Sequence, residues 1–363
     1  MRKQDKQRIP IPLLNSLKAL QYSINTVIYS TYKHRDHDYY GIPSHSIPKT
    51  STKQLFLPYQ LNLYTMRITI LLFLIVVLYS CNSKTPTYDI QNEELKQLYQ
   101  AYLDSPDKNT LKSFTNKALQ EVMLNPTSAE ATNLIDASTS ALEDQKLGSN
   151  AIPFLFSRLK HHYNSDETAT TLEKLSNYMR DNNKGVAADV LMHSVQSNFK
   201  DHAVSADKKV DIADIDAYIK GVGEKVFNPE NKTAINNEAA QTYVDACEAY
   251  ALGNPNSVAA PEFLYRASEV SRTLRSYSKT LSIYDWILDS YPDYEKSATA
   301  LFLKGFILDN DLKNIEAAKN TYNEFLQKFP NNALADDVQF LIENIGKSDE
   351  EIMKTIEANK KES

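Results

Sequence analysis

The chain has little glycine, little cysteine and one tryptophan, and each scarcity excludes something. Eight glycines in 363 residues cannot furnish the tight turns and bulges of a sheet-rich fold, so the balance points to helices. Two cysteines, Cys81 and Cys247, allow no disulfide framework, and Cys81 closes an apolar run, which argues against a structural pair. A lone tryptophan, Trp286, gives little material for aromatic stacking platforms. No glycine-rich phosphate loop is present. "GVGEK" (221–225) lacks both the length and the Lys-Ser/Thr ending. No G-x-S-x-G or H-E-x-x-H motif occurs. No catalytic, cofactor-binding or metal-ligating residues are assigned, and a non-enzymatic protein is expected.

Positive charge is scarce in most of the chain. Nine basic and three acidic residues precede Met66, whereas residues 82–363 hold 30 basic and 43 acidic side chains, a net of −13 against −6 for the whole. An acidic body of that size excludes sequence-independent nucleic-acid binding, which needs a basic surface.

What is present begins with "MRITILLFLIVVLYSCNSK", residues 66–84. Twelve uncharged residues, Ile68 to Tyr79, are too few for a membrane span of about 20 residues. They suit the core of a signal peptide, about 7–15 residues long. The segment resembles a bacterial lipoprotein signal, with Leu78-Tyr79-Ser80-Cys81 as its lipobox. That resemblance implies cleavage before Cys81 and acylation of its thiol and new amino group, giving stable anchoring. A short uncleaved anchor with residues 1–65 in the cytoplasm and an ordinary cleaved signal are the alternatives. Residues 1–65 carry no sustained helical or strand period. They are expected to be a disordered extension upstream of a true start at Met66, or else a basic cytoplasmic arm. His34, His37 and His45 have no partners placed to complete a metal site.

Self-similarity organises the remainder. A shift of 38 residues lays "PEFLYRASEVSRTLRSYSKTLSIYDWILDSYPDY" (261–294) over "TALFLKGFILDNDLKNIEAAKNTYNEFLQKFPNN" (299–332) without a gap. These segments resemble the tetratricopeptide repeat, a helix–turn–helix unit. Phe263, Ala267, Val270, Thr280, Tyr284 and Pro292 take its signature positions in the first copy. Leu301, Gly305, Leu308, Ala318, Tyr322 and Pro330 take them in the second. Arg266 and Lys304 depart from the pattern, where the family has Leu. The small residue lets paired helices approach, the tyrosine fills the gap to the next unit, and proline stops the second helix. Pro126, Pro229 and Pro255 repeat the punctuation upstream, and a weaker copy runs through Leu172, Leu175, Ser176, Met179, Ala188 and Met192.

The expected organisation is a signal at 66–80, a linker at 81–90, a helical array at 91–345 and a charged C-terminal helix and tail at 346–363. The fold expected is all-α, a right-handed solenoid clearest in 261–332. A lipid-anchored repeat protein of this kind is similar to the repeat lipoprotein of the outer-membrane β-barrel assembly machine and to periplasmic division-coordinating repeat proteins. The resemblance implies a scaffold at the outer membrane, facing the periplasm, with an envelope protein or peptide in its concave groove and no cofactor. A glycan-capturing lipoprotein on a helical platform, or a membrane-anchored adaptor, is the alternative. Smaller expectations are that His161-His162 form a solvated helix end and that "DKKVDIADIDAYIKG" (207–221) is an amphipathic helix rather than a calcium loop. Cys247 is read as a small buried hydrophobe, and Trp286 as interhelical packing.

Overall fold

The computed structural model describes residues 88–163, 166–226, 235–347 and 351. Residues 1–87, with the signal and Cys81, lie outside that range, as do Pro229 and nearly all of the 346–363 tail. The described residues form thirteen α-helices and no strand. They are α1 (Glu93–Asp104), α2 (Lys108–Leu124), α3 (Ala129–Asp144), α4 (Ile152–His161), α5 (Thr168–Asp181), α6 (Gly185–Asn198) and α7 (Ile215–Gly223). Then follow α8 (Asn237–Gly253), α9 (Ala260–Thr273), α10 (Tyr277–Ser290), α11 (Ser297–Phe306), α12 (Ile315–Lys328) and α13 (Ala335–Asn344). Consecutive helices pack on one another along the chain except α6 and α7, because α8 packs on α6 in place of α7; α8 also packs on α4.

Two kinds of connector recur, and both follow from local sequence. In the first, a helix is stopped by the residue that precedes a proline. Asn125, Asn254, Tyr291 and Phe329 stop α2, α8, α10 and α12 with nearly identical dihedrals, φ −130 to −137° and ψ 52 to 56°. Proline excludes the α region for the residue before it, so the helix cannot continue. The freed carbonyl of each stop residue then accepts from the N–H three residues on, at 3.0–3.1 Å. In the second connector a non-glycine residue takes left-handed dihedrals: Lys146, Asn183, Arg275 and Lys313, φ 53 to 61°. At Arg275 the next amide, Ser276 N–H, bonds back to the Ser271 carbonyl at 2.9 Å, the closing bond of a Schellman turn. Lys184 to Met179 and Leu147 to Leu142 repeat it at 2.9 and 2.8 Å. At Lys313 the helix first widens into a π turn over Ile307–Asp311, and Asn314 N–H reaches the Leu308 carbonyl at 2.7 Å.

Buried side chains form two clusters. The larger runs from Ile90 to Ile307; the smaller joins α11, α12 and α13 around Leu301, Tyr322, Phe325 and Val338. Leu281 of α10 packs against both. Helix α8 is at the centre of the larger cluster, with every residue from Tyr243 to Gly253 buried.

Three expectations need correcting. Residues 209–213 are not helical: α7 starts only at Ile215, where Asp214 caps it by accepting from Ala217 N–H at 3.0 Å. His161 and His162 are half-buried, and His162 Nε2 lies 2.7 Å from the Pro126 carbonyl. Burial, helped by Lys160 and His162, pushes the His161 imidazole down to about 4. The last three residues of the linker are also part of the core's edge: Ile90 is buried and Tyr88 packs against it.

Candidate functional site

The signature positions fall where two helices of a pair meet. Phe263, Ala267, Thr280 and Tyr284 are buried, as are Leu301, Gly305, Leu308, Ala318 and Tyr322. Val270 is half-buried, and Pro292 and Pro330 are exposed at the turns. A Cβ built on Gly305 would stand 2.5 Å from the Tyr322 ring, so this helix pair tolerates no side chain there. In the weaker copy Ser176 Oγ donates to the Ala188 carbonyl at 2.9 Å, joining α5 to α6. Cys81 lies outside the described residues.

Helix α8 carries buried charge on one face, one group met from the turn before α6 and the other from α10. Asp245 accepts from Lys184 at 3.0 Å, and Glu248 accepts from Lys279 of α10 at 3.0 and 3.1 Å. Burial pushes the Glu248 carboxyl up, and Lys279 opposes that shift. Helix α4 lies over this region. Phe156 meets Trp286 edge-on with ring centroids 5.5 Å apart, and the Lys160 ammonium stands 5.5 Å from the Trp286 ring. Burial lowers the Lys160 ammonium, against the pull of Asp289, Asp285 and Glu248. Trp286 is therefore covered by its own chain and offers no stacking face. Cys247 is fully buried, and burial pushes its thiol up.

The opening best suited to a partner lies between α7 and α9. A cavity of about 530 Å³ is lined by Lys220 and Glu224 on one side and Arg266, Glu269, Val270 and Thr273 on the other. Its floor is Tyr243 of α8, whose ring is pressed against Gly223; a Cβ there would stand 2.8 Å from it. Arg266 is held rather than free: its Nε donates to Glu262 at 2.8 Å. Glu262 also accepts from Lys296 at 2.8 Å and from the Tyr294 hydroxyl at 2.5 Å. Burial alone would raise the Glu262 carboxyl, but Lys296, Tyr294 and Arg266 together hold it at about 2. The departure of Arg266 from the repeat pattern is what places a fixed cation in this cleft. The i, i+4 spacing of Glu262 and Arg266 is readable in the sequence, whereas the contribution of Lys296, from the next turn, is not.

A second cavity, of about 430 Å³, lies among α3, α4 and α5. There Arg158 binds Asp136 at 2.9 Å and also pairs with Glu167, and Lys174 binds Glu143 at 2.9 Å. These ion pairs tie three helices together. Among the described residues no group of three or more His, Cys, Asp or Glu could hold a metal ion, and no helix is long and apolar enough to cross a membrane.

No protein-family model and no curated protein matches this chain.

Proposed function

We propose that the chain is a protein-binding scaffold: a tetratricopeptide-like helical solenoid, anchored by acyl groups on Cys81, that faces the periplasm and serves envelope assembly or maintenance. The observation that carries this reading is the recurrence of the same connector at Asn254, Tyr291 and Phe329, each followed six residues later by a new helix. Helix pairs stacked at such a period build extended surfaces that hold peptides and partner domains. The α7–α9 cleft is the favoured contact, because it combines Val270 and the Tyr243 ring with oppositely charged groups, Lys220 and Glu224 on one side and Arg266 and Glu269 on the other. A peptide segment with both an apolar and a charged side chain suits that lining.

The test is site-specific photo-crosslinking in intact envelopes, with the probe at Glu269 in the cleft and, as a control, at exposed Lys112 of α2. A discrete adduct from position 269 that is absent from 112 is expected. Failure to recover any protein adduct from 269, with the chain folded and abundant, would defeat the scaffold reading.

A further inference from the structure

We propose that the cleft between the α8–α9 and α10–α11 turns takes the basic side chain, lysine or arginine, of an extended partner segment. The inference extends the scaffold reading by a second contact of stated chemistry, and it does not depend on the α7–α9 cleft. The space between the two turns measures about 520 Å³, within the range of about 300–1,000 Å³ that holds small ligands. Pro255, Val258 and Pro261 contribute its apolar side from one turn, and Tyr291 and Pro292 from the next. Both turns are fixed from within. The Ser257 hydroxyl lies 3.0 Å from the Tyr250 hydroxyl and accepts from Ala259 N–H at 3.2 Å. The Tyr291 carbonyl accepts from Tyr294 N–H and from the Ser297 hydroxyl, each at 3.0 Å. Walls already ordered in this way cost a partner little ordering on binding.

Charge decides what fits this cleft. Asp293 and Glu295 line it, both exposed, and no Lys, Arg or His does. Neither carboxylate forms an ion pair among the described residues. The adjoining cation, Lys296, is committed elsewhere: it donates to Glu262 at 2.8 Å and stands 4.9 Å from the Tyr265 ring. These carboxylates distinguish one turn from the others. The three residues that follow Pro126, Pro255 and Pro330 include no Asp or Glu. Acid beside apolar walls selects a side chain with both characters. Lysine and arginine lay an aliphatic stem along apolar surface and keep the charged head in water or against a carboxylate. An acidic side chain would meet like charge and be rejected. Val258 is 95% exposed at the same cleft, and a segment seated there would cover it. One exposed ion pair is worth little, so the preference needs both carboxylates together with burial of the stem.

The experiment uses the full chain in detergent and dye-labelled probe peptides that carry Val-Lys-Val, Val-Gln-Val or Val-Glu-Val between Gly-Ser flanks. Fluorescence anisotropy reads their affinities. The lysine peptide should bind about ten-fold more tightly than the glutamate peptide, with glutamine between them. Asp293→Asn combined with Glu295→Gln should remove most of that preference, and Asp293→Lys combined with Glu295→Lys should reverse it. The same loss of charge at Asp336 and Asp337, exposed on α13, should leave the preference as it is. Equal affinity of the parent chain for all three peptides overturns the proposal. Equal loss of preference from the 293/295 and 336/337 variants also overturns it, because net charge alone would then be read. Phosphatidylcholine vesicles that bind through Asp293 and Glu295, with no preference among the peptides, assign the cleft to a lipid ammonium group and overturn it as well. The scaffold reading is tested separately, by the adduct from position 269, and survives each of these failures.

Discussion

Gly305 shows how much one hydrogen atom can decide. Its missing side chain is what admits the Tyr322 ring between α11 and α12. Gly305→Ala should destabilise the fold by about 1–3 kcal/mol, because overpacking forces the ring or the helix to shift. Gly221 of α7 has nothing within 4 Å of its would-be Cβ, and Gly221→Ala should instead be neutral or stabilising by up to about 1 kcal/mol. Urea unfolding of the two variants side by side checks the opposite signs. Glu262 gives a second prediction, through pH. Its carboxyl is held at about 2 in the fold against an ordinary 4.5. The unfolded chain therefore takes up that proton first as pH falls. The stability Glu262 contributes is present above about 4.5 and is lost progressively toward 2. Unfolding midpoints measured across that window should fall more steeply for the parent chain than for Glu262→Gln.

The helices do not share one core. Those of α11, α12 and α13 pack into a cluster of their own, with Leu281 of α10 touching both it and the larger core. Native-state hydrogen exchange should show α12 amides opening at lower free energy than those of α8, which is buried throughout its second half and beyond. Leu281→Ala should widen that gap, lowering protection in α11–α13 with little change in α5 and α6. Equal loss of protection across both clusters would show that they open as one unit. The same elements show what a sequence can reveal. The helix pairing of 261–332 was legible because small residue, tyrosine and proline recur at fixed distance: Gly305 meets the Tyr322 ring within its pair, and each proline stops the helix before it. The pairing of α5 with α6 was legible from the small residues Ser176 and Ala188 alone, since Met192 stands in the tyrosine position and Phe199 stops α6 without a proline, at φ −125° and ψ 67°. The position of α4 was not. Periodicity tells which face of a helix is buried and is silent on which distant helix covers it, so the packing of Phe156 against Trp286 had no local signal. The α7 cleft was hidden likewise: the alternating Asp and apolar residues of 207–216 suggested continuous helix, but capping by Asp214 delays it.

At the scale of the whole chain, residues from Pro86 onward make up a unit with its own contacts. A chain beginning at Pro86 should keep the melting temperature of the full-length protein within about 2 °C and the same helical circular dichroism per described residue. A loss larger than that would show that preceding residues contribute to the fold. Sequence and structure divide the labour here in a particular way. The scarcity of glycine pointed to helices, which the described residues form, and the self-similarity of 261–332 suggested the helix pairing. The charged cleft emerged only when helices far apart in sequence were brought together.

Cys247 lies at the middle of the central helix with no accessible surface. A thiol so enclosed can be alkylated only when α8 leaves its neighbours, so its modification rate is a built-in clock for global opening. In a Cys81→Ser chain, where Cys247 is the one cysteine left, a pulse of thiol reagent should label Cys247 in step with the loss of helical signal across a urea series. Labelling that runs ahead of that loss would reveal breathing of the core that the static packing gives no reason to expect.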